Sequence, residues 1–261
     1  MKFSFIGAGN MGSAIIGGMI KKFPPVDILV TDKNKAVLKK FSEEYGVMTA
    51  EENTDVLNSE FLFLCVKPNV VFEVIEEIKD KVSDKTTVVS IVAGKQLKAL
   101  EEAFGKKIGI IRVMPNTPAL VGEAMSAVCA NENVDDDKLK VILDVFSNLG
   151  RAEVVLENLM DAVTGISGSS PAYVFMMIEA MADAAVEAGM PRDKAYTFAS
   201  QAVLGSAKMV LETKKHPGEL KDMVCSPGGT TIEAVRALEE TGFRSSIMKA
   251  IKKCVEKSKS M

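Results

Sequence analysis

Near the start of the chain, Gly7-Ala8-Gly9-Asn10-Met11-Gly12 has the spacing GxGxxG. Glycines so placed suit one task, holding a pyrophosphate against the backbone. Gly7 makes the tight turn and Gly9 lets the phosphates approach. Gly12 lets the next helix pack against the preceding strand, with its N-terminus toward the anion. The motif alone is weak, but its surroundings complete it. Phe3 to Ile6 reads as a short apolar strand, Ser13 to Lys22 as a helix, and Asp27 to Thr31 as a second strand ending at Asp32. An acidic residue about 20 positions on is what a dinucleotide fingerprint expects. Asp32 would accept hydrogen bonds from a ribose 2′-hydroxyl, which favours NAD(H). Lys33 and Lys35 would welcome the 2′-phosphate of NADP(H). Both cofactors stay open.

No charged residue lies between Lys2 and Lys21, so a signal peptide or membrane anchor must be weighed. Five glycines in that stretch, Gly7, Gly9, Gly12, Gly17 and Gly18, argue against a spanning helix, since each costs about 1 kcal/mol relative to alanine. The run also barely reaches the roughly 20 residues a bilayer demands.

A second stretch carries chemistry of another kind: Ser226-Pro227-Gly228-Gly229-Thr230-Thr231-Ile232-Glu233. Gly228 and Gly229 free the backbone before a helix that should start near Thr230. Thr230 and Glu233 have capping-box spacing. Unpaired N–H groups and the helix dipole suit a small carboxylate, and Thr231 would keep its hydroxyl for a ligand. An ordinary capped helix explains the same residues equally well.

Other reactive residues are few. His216 is the only histidine, and as a residue before proline it reads as a turn element. Cys65, Cys129, Cys225 and Cys254 are widely separated, with no metal-like pairing. Reduced thiols in a cytoplasmic protein are expected, and no metal site. Asp135-Asp136-Asp137 reads as a helix start. The 261 residues carry a net charge of -3, so no basic field awaits nucleic acid or an anionic membrane.

The elements that must position these residues alternate. Phe61 to Val66 is a continuous apolar run ended by Lys67-Pro68, and Val70 to Lys81 has helical spacing. Thr87 to Val92, closed by Ala93-Gly94, and Ile108 to Met114 read as further buried strands. Repeated strand–helix units imply an α/β fold with a Rossmann-like parallel sheet, whose ligands bind beyond the carboxyl ends of the strands. Those ends are Gly7–Gly12, Lys67-Pro68, Ala93-Gly94 and Pro115-Asn116-Thr117-Pro118.

Beyond about Glu157 the strand signals stop, which divides the chain into a dinucleotide-binding domain, 1–157, and an all-helical domain, 158–261. In Tyr173 to Ala188 the only charges are Glu179, Asp183 and Glu187, four apart, so the helix is apolar nearly all round. Such a helix must be buried, and a homodimer would bury it. After Pro191, the residues Ala195, Phe198, Ala199, Ala202, Val203 and Val210 form the expected inner stripe of the next helix.

Together these motifs resemble the pyrroline-5-carboxylate reductase family. The resemblance rests on Phe5–Gly12, Val66-Lys67-Pro68, Ala93-Gly94, Met114–Pro118, Gly168–Tyr173 and Ser226–Thr231, in order along the whole chain. It implies a Rossmann domain followed by an all-helical dimerisation domain, and reduction of the cyclic imine 1-pyrroline-5-carboxylate to L-proline by hydride from NAD(P)H, the last step of proline biosynthesis. It further implies that Ile6, Gly7, Ala8, Gly9, Asn10 and Met11 bind the pyrophosphate, with Gly12 behind them, and that Asn53 lies by the adenosine ribose. Cys65, Val66, Lys67 and Pro68, with Val92, Ala93 and Gly94, line the path to the nicotinamide. Ser226, Gly229, Thr230 and Thr231, with Gly228 in the same loop, hold the substrate. Thr231 is the candidate to hydrogen-bond the ring nitrogen and relay a proton. Ser170 stands where the family usually has glycine, and Cys225 where serine or threonine is usual.

Two rivals remain. A related Rossmann reductase would act on another cyclic imine or on a 3-hydroxy acid, but hydroxy-acid enzymes rely on a lysine motif in the helical domain that Lys208, Lys214 and Lys221 do not form. A nucleotide-sensing scaffold without chemistry would have lost the substrate loop, which is intact.

Overall fold

The computed structural model describes residues 2–260. Among them, eight strands form one sheet: β1 (Phe3–Ile6), β2 (Ile28–Thr31), β3 (Met48–Ala50), β4 (Phe61–Leu64), β5 (Thr87–Ser90), β6 (Gly109–Met114), β7 (Ala124–Ala130) and β8 (Gly150–Val154). Their spatial order is β3-β2-β1-β4-β5-β6-β7-β8. Pairing is parallel except between β6 and β7, so the expected Rossmann-like parallel sheet carries one antiparallel pair. The tight connection Thr117–Val121 returns the chain directly beside β6, and a short return of that kind can only pair antiparallel.

The sheet is buried on both faces, which explains its unbroken apolar strands. Phe61 and Phe63 point into one core with Phe3, Phe5, Ile15 and Phe146. Leu62 and Leu64 point into the other with Ile75, Val88 and Leu100. This is the period-two alternation of a strand. Phe5 stacks on Phe63 with ring centroids 4.4 Å apart. Helices α1 (Asn10–Met19), α2 (Lys35–Tyr45), α3 (Val71–Ile78), α4 (Leu97–Phe104) and α5 (Asp136–Ser147) cover the two faces. Asp135 caps α5 by accepting from the Lys138 N–H at 2.8 Å, the helix-start role expected of the aspartate run.

After the short helix α6 (Met160–Val163) and a π-helical turn, Thr164–Gly168, come α7 (Ser170–Glu187), α8 (Arg192–Thr213), α9 (Pro217–Val224), α10 (Thr230–Glu240) and α11 (Phe243–Lys259). Two compact units emerge: one runs up to Ser169 and takes in the residues from Cys254 onward, the other is Ser170–Lys253. This division differs from a boundary at 157/158 for a physical reason. Met160 is buried in the sheet core. The Ser258 hydroxyl donates to Asp161 Oδ1 at 2.6 Å, and Cys254 Sγ lies 3.2 Å from Ser169 Oγ. The last turns of α11 thus fasten the 160–169 segment within the first unit.

The second unit buries little. Among its described residues only Ala182, Ala195 and Ala199 are buried. Phe175, Met176 and Phe198 are each more than 60% exposed. Phe198, Ala202 and Val210, expected on an inner stripe, face outward in the single chain. A unit of this size with almost no core of its own has unfinished apolar faces. His216 is a turn element: its Nδ1 accepts from the Gly218 N–H at 3.1 Å and caps α9. Among the described residues, no helix is long and apolar enough to cross a membrane.

Candidate active site

The chain runs outward from β1 through β2 to β3, then returns to the other side of β1 as β4. This reversal is the switch point where an open α/β sheet binds ligands. The parallel register sets Ile6 level with Thr31 on one side and Leu64 on the other. It follows that Gly7, Asp32 and Cys65, each one residue further on, emerge together at the carboxyl edge.

Each motif glycine then has its own physical reason. Gly7 has φ +97°, and a Cβ there would lie 2.6 Å from the Cys65 carbonyl oxygen. A Cβ on Gly12 would lie 2.7 Å from the Gly7 carbonyl oxygen. Around Gly9 a Cβ would meet no atom within 4 Å. The first two are tied by packing, and the third leaves room for an approaching ligand. No side chain caps α1, which begins directly after Gly9. Its first N–H groups are therefore offered to an anion.

Two cavities meet at this loop. One, of about 500 Å³, is lined by Ile6, Gly7, Gly9, Asp32, Lys33, Asn53 and Cys65–Lys67, with Glu73 and Glu77. The other, of about 410 Å³, is lined by Gly9–Gly12, Cys65–Pro68, Val92, Ala93, Met114–Thr117 and Gly168. They share Gly9, Cys65, Val66 and Lys67. Two lobes joined at a phosphate-sized bare loop fit an extended dinucleotide, with one lobe for each end.

Of the cofactor-binding residues singled out in the sequence, all but Ala8 and Gly94 line these lobes. Ala8 is buried, donates its N–H to Asp32 Oδ2 at 2.6 Å, and accepts from the Ser13 hydroxyl at 2.7 Å. Gly94 turns the chain with φ +73°. Asp32 proves to be a strut. Besides Ala8, its other oxygen accepts from the Asn34 N–H at 2.7 Å. Asn53 donates to Glu77 Oε2 at 2.8 Å. Lys35 is drawn to Glu51 at 3.3 Å, and Lys33 rather than Lys35 lines the larger lobe. Burial raises the pKa of the Cys65 thiol. That of Cys129 is pushed up to about 11, by burial first and then by Glu157, against the opposing Arg112. Neither sulfur is a nucleophile near neutral pH.

Sequence reasoning missed Glu73 and Glu77, and quoted Gly168 only within a family motif, without a place in the cofactor site. The glutamates are four apart on α3, a helical face that could have been read. Gly168 reaches its lobe through a π-turn, for which the sequence holds no signal.

In the second unit, Ser226 to Gly229 forms a turn closed by the Gly229 N–H donating to the Ser226 carbonyl at 3.0 Å. Gly228 has φ +66°. Proline followed by a positive-φ glycine is the type II turn combination. Gly229, not Thr230, takes the N-cap position of α10, and no side chain caps that helix. The expected capping box is corrected accordingly. Gly229 is extended, with ψ 172°, so the first helical residue is Thr230 and the hydroxyls of Thr230 and Thr231 both sit on the first turn. Uncapped N–H groups beside two hydroxyls suit a small carboxylate.

Residues 157–261 match the family model for pyrroline-5-carboxylate reductase dimerisation, and residues 2–94 match that for coenzyme F420-dependent NADP oxidoreductases. The pyrroline-5-carboxylate reductase of Escherichia coli (strain K12) is 50% identical over 263 residues, covering 100% of this chain and 98% of that one. The chain belongs to the pyrroline-5-carboxylate reductase family. The solved reductase of Coxiella burnetii superposes with a TM-score of 0.92 at 35% identity, over 99% of this chain and 97% of that one. The Plasmodium falciparum enzyme, solved with NADP bound, gives 0.91 at 32% identity, over 100% and 97%. The fold of this chain, a Rossmann-like domain with a helical dimerisation domain, is the family's.

Proposed function

We propose that this chain reduces 1-pyrroline-5-carboxylate to L-proline with NAD(P)H, the last step of proline biosynthesis, as a cytoplasmic homodimer. The observation that carries the cofactor assignment is the bare, uncapped loop at Gly9 between two lobes. Residues 1–157 hold the cofactor, and 158–261 hold the substrate and the partner.

The 500 Å³ lobe takes the adenosine end, with Asp32, Lys33 and Asn53 at the ribose. Gly7, Gly9 and the N–H groups of Asn10 to Gly12 hold the pyrophosphate. The 410 Å³ lobe, through Cys65–Pro68, Val92 and Ala93, takes the nicotinamide end. Ile6 floors the loop, Ala8 ties it to Asp32, and Gly94 turns the chain away. When bound, the reduced nicotinamide supplies the hydride that the imine carbon accepts.

Ser226, Gly228, Gly229 and Thr230 hold the substrate carboxylate, chiefly through the N–H groups at the start of α10. That orients the ring. The Thr231 hydroxyl hydrogen-bonds the ring nitrogen and passes it a proton drawn from water. A threonine hydroxyl is a poor acid, so its main effect is alignment of the C=N bond. The dimer forms through the exposed apolar faces of α7 and α8, where Phe175, Met176 and Phe198 lie.

The test is cofactor oxidation by the purified protein with racemic pyrroline-5-carboxylate, run with NADPH and NADH in parallel and with proline identified as product. Substrate-dependent oxidation yielding proline is expected. A folded protein that binds either cofactor and turns over neither would overturn the assignment.

A further inference from the structure

Asn116 opens the 3₁₀ turn Thr117–Val121, a position from which an asparagine side chain ordinarily caps the turn it precedes. Here it makes no such bond. The side chain is buried and reaches two distant backbone groups instead. Its Oδ1 accepts from the Met125 N–H at the start of β7 at 2.9 Å, and its Nδ2 donates to the Ser167 carbonyl at 3.0 Å. The first partner is only a donor and the second only an acceptor, so both fix the same orientation of the amide.

Ser167 lies in the π-turn Thr164–Gly168, held open by the Ser169 N–H donating to the Thr164 carbonyl at 2.8 Å. A π-turn leaves carbonyls poorly matched within the helix, and such turns recur at functional sites. The turn brings Gly168 to the wall of the 410 Å³ lobe, where a Cβ on it would lie 2.6 Å from the Met114 methyl group. Met114, Asn116 and Gly168 line the same lobe.

We infer that Asn116 is a positioning residue for hydride transfer: its amide pins the π-turn so that Gly168 and Met114 close the nicotinamide lobe at a fixed width. The inference rests on the assignment of that lobe to the nicotinamide end. Asn116 needs to touch neither substrate nor cofactor; it sets the wall that limits how the ring can sit.

N116D separates the two bonds. A carboxylate still accepts from Met125 but faces the Ser167 carbonyl with a lone pair instead of a donor. Protonation restores the donor, and burial beside a carbonyl raises the pH at which it occurs. In N116D, kcat should fall about 10- to 100-fold at roughly pH 8.5, with the cofactor dissociation constant little changed. The ratio of variant to wild-type kcat should climb as the pH falls toward about 5.5, because only the protonated form can donate. A ratio near one throughout, or a loss that stays flat with pH in a protein folded throughout by circular dichroism, would overturn the inference. If N116D does not fold, G168A carries the test. Its methyl group must move either the turn or Met114, both on the lobe wall, so wild-type kcat would overturn the inference and a loss without pH rescue would support it. A93F, which fills the same lobe, keeps the two levels apart. Loss of turnover in A93F with none in N116D leaves the lobe assignment standing and removes Asn116; unchanged turnover in A93F removes the lobe assignment itself.

Discussion

The Gly7–Gly12 turn and the Ser226–Thr231 turn both carry the chain through a positive-φ glycine into a helix that no side chain caps. They differ in what holds them. The first is wedged: Gly7 against the Cys65 carbonyl, Gly12 against Gly7, and Ala8 bonded to Asp32. The second is held by its own turn bond, the Gly229 N–H to the Ser226 carbonyl, and its one close approach is that of the Ser226 hydroxyl to where a Cβ on Gly229 would lie. A Cβ on Gly228 would meet nothing within 4 Å, and α10 has no buried residue. A cofactor grip can be finished within one unit, because a sheet edge supplies neighbours at fixed register. A loop on a helical unit with three buried residues has no such frame, and its rigidity must come from further packing.

This contrast can be broken or sharpened, beginning with the largest effect. Gly7→Ala should cost about 3 kcal/mol or more, since it combines positive-φ strain with a backbone clash. Thermal unfolding and cofactor titration would both show it; a variant of normal melting temperature would mean the wedge is soft. Thr231→Ala should lower kcat about 100-fold while cofactor affinity and melting temperature hold. Unchanged turnover would remove Thr231 from the chemistry. Phe175→Asp should weaken the dimer by about 30-fold or more, read by sedimentation across a dilution series. A dimer that dissociates over the dilution series no more readily than the wild type would place the interface elsewhere.

Asp32→Ala should weaken NADH binding about tenfold, as the Ala8 N–H loses its charged acceptor. NADPH should suffer less, because a negative charge near its 2′-phosphate goes as well. An equal fall for both would show that Asp32 acts as a strut alone. Gly228→Ala should have the smallest effect, about 1 kcal/mol of local strain. A severalfold rise in KM with kcat unchanged is the expected readout, and collapse of the fold would mean the second loop is as tightly wedged as the first.

Much of this molecule was legible beforehand, and unevenly. Gly7, Gly9 and Gly12 could be assigned separate tasks because each depends on neighbours near in sequence or on the adjoining strand. The apolar runs at Phe61 and Thr87 announced buried strands. Ala124–Ala130 and Gly150–Val154 did not, because small and charged residues weaken the strand signal there. The capping box at Thr230 had the right spacing, but an extended Gly229 took the cap position one residue earlier. Phe198 lay on a correctly read helix, yet its face is exposed in the single chain.

The sequence by itself determined the place of five of the eight strands of the first unit, that a glycine turn suited to phosphate follows the first of them, and that α7 is too apolar to stand alone. These are consequences of period, glycine placement and composition, all local quantities. Only the tertiary structure decided that Asp32 braces Ala8, that the segment from Met160 to Ser169 stays with the sheet, and that Asn116 reaches Ser167 across 51 positions of chain. Those outcomes are pairings far apart in sequence, each made through at least one side chain. Each is selected by which buried donor meets which buried acceptor once the chain is packed, and no residue spacing encodes that choice.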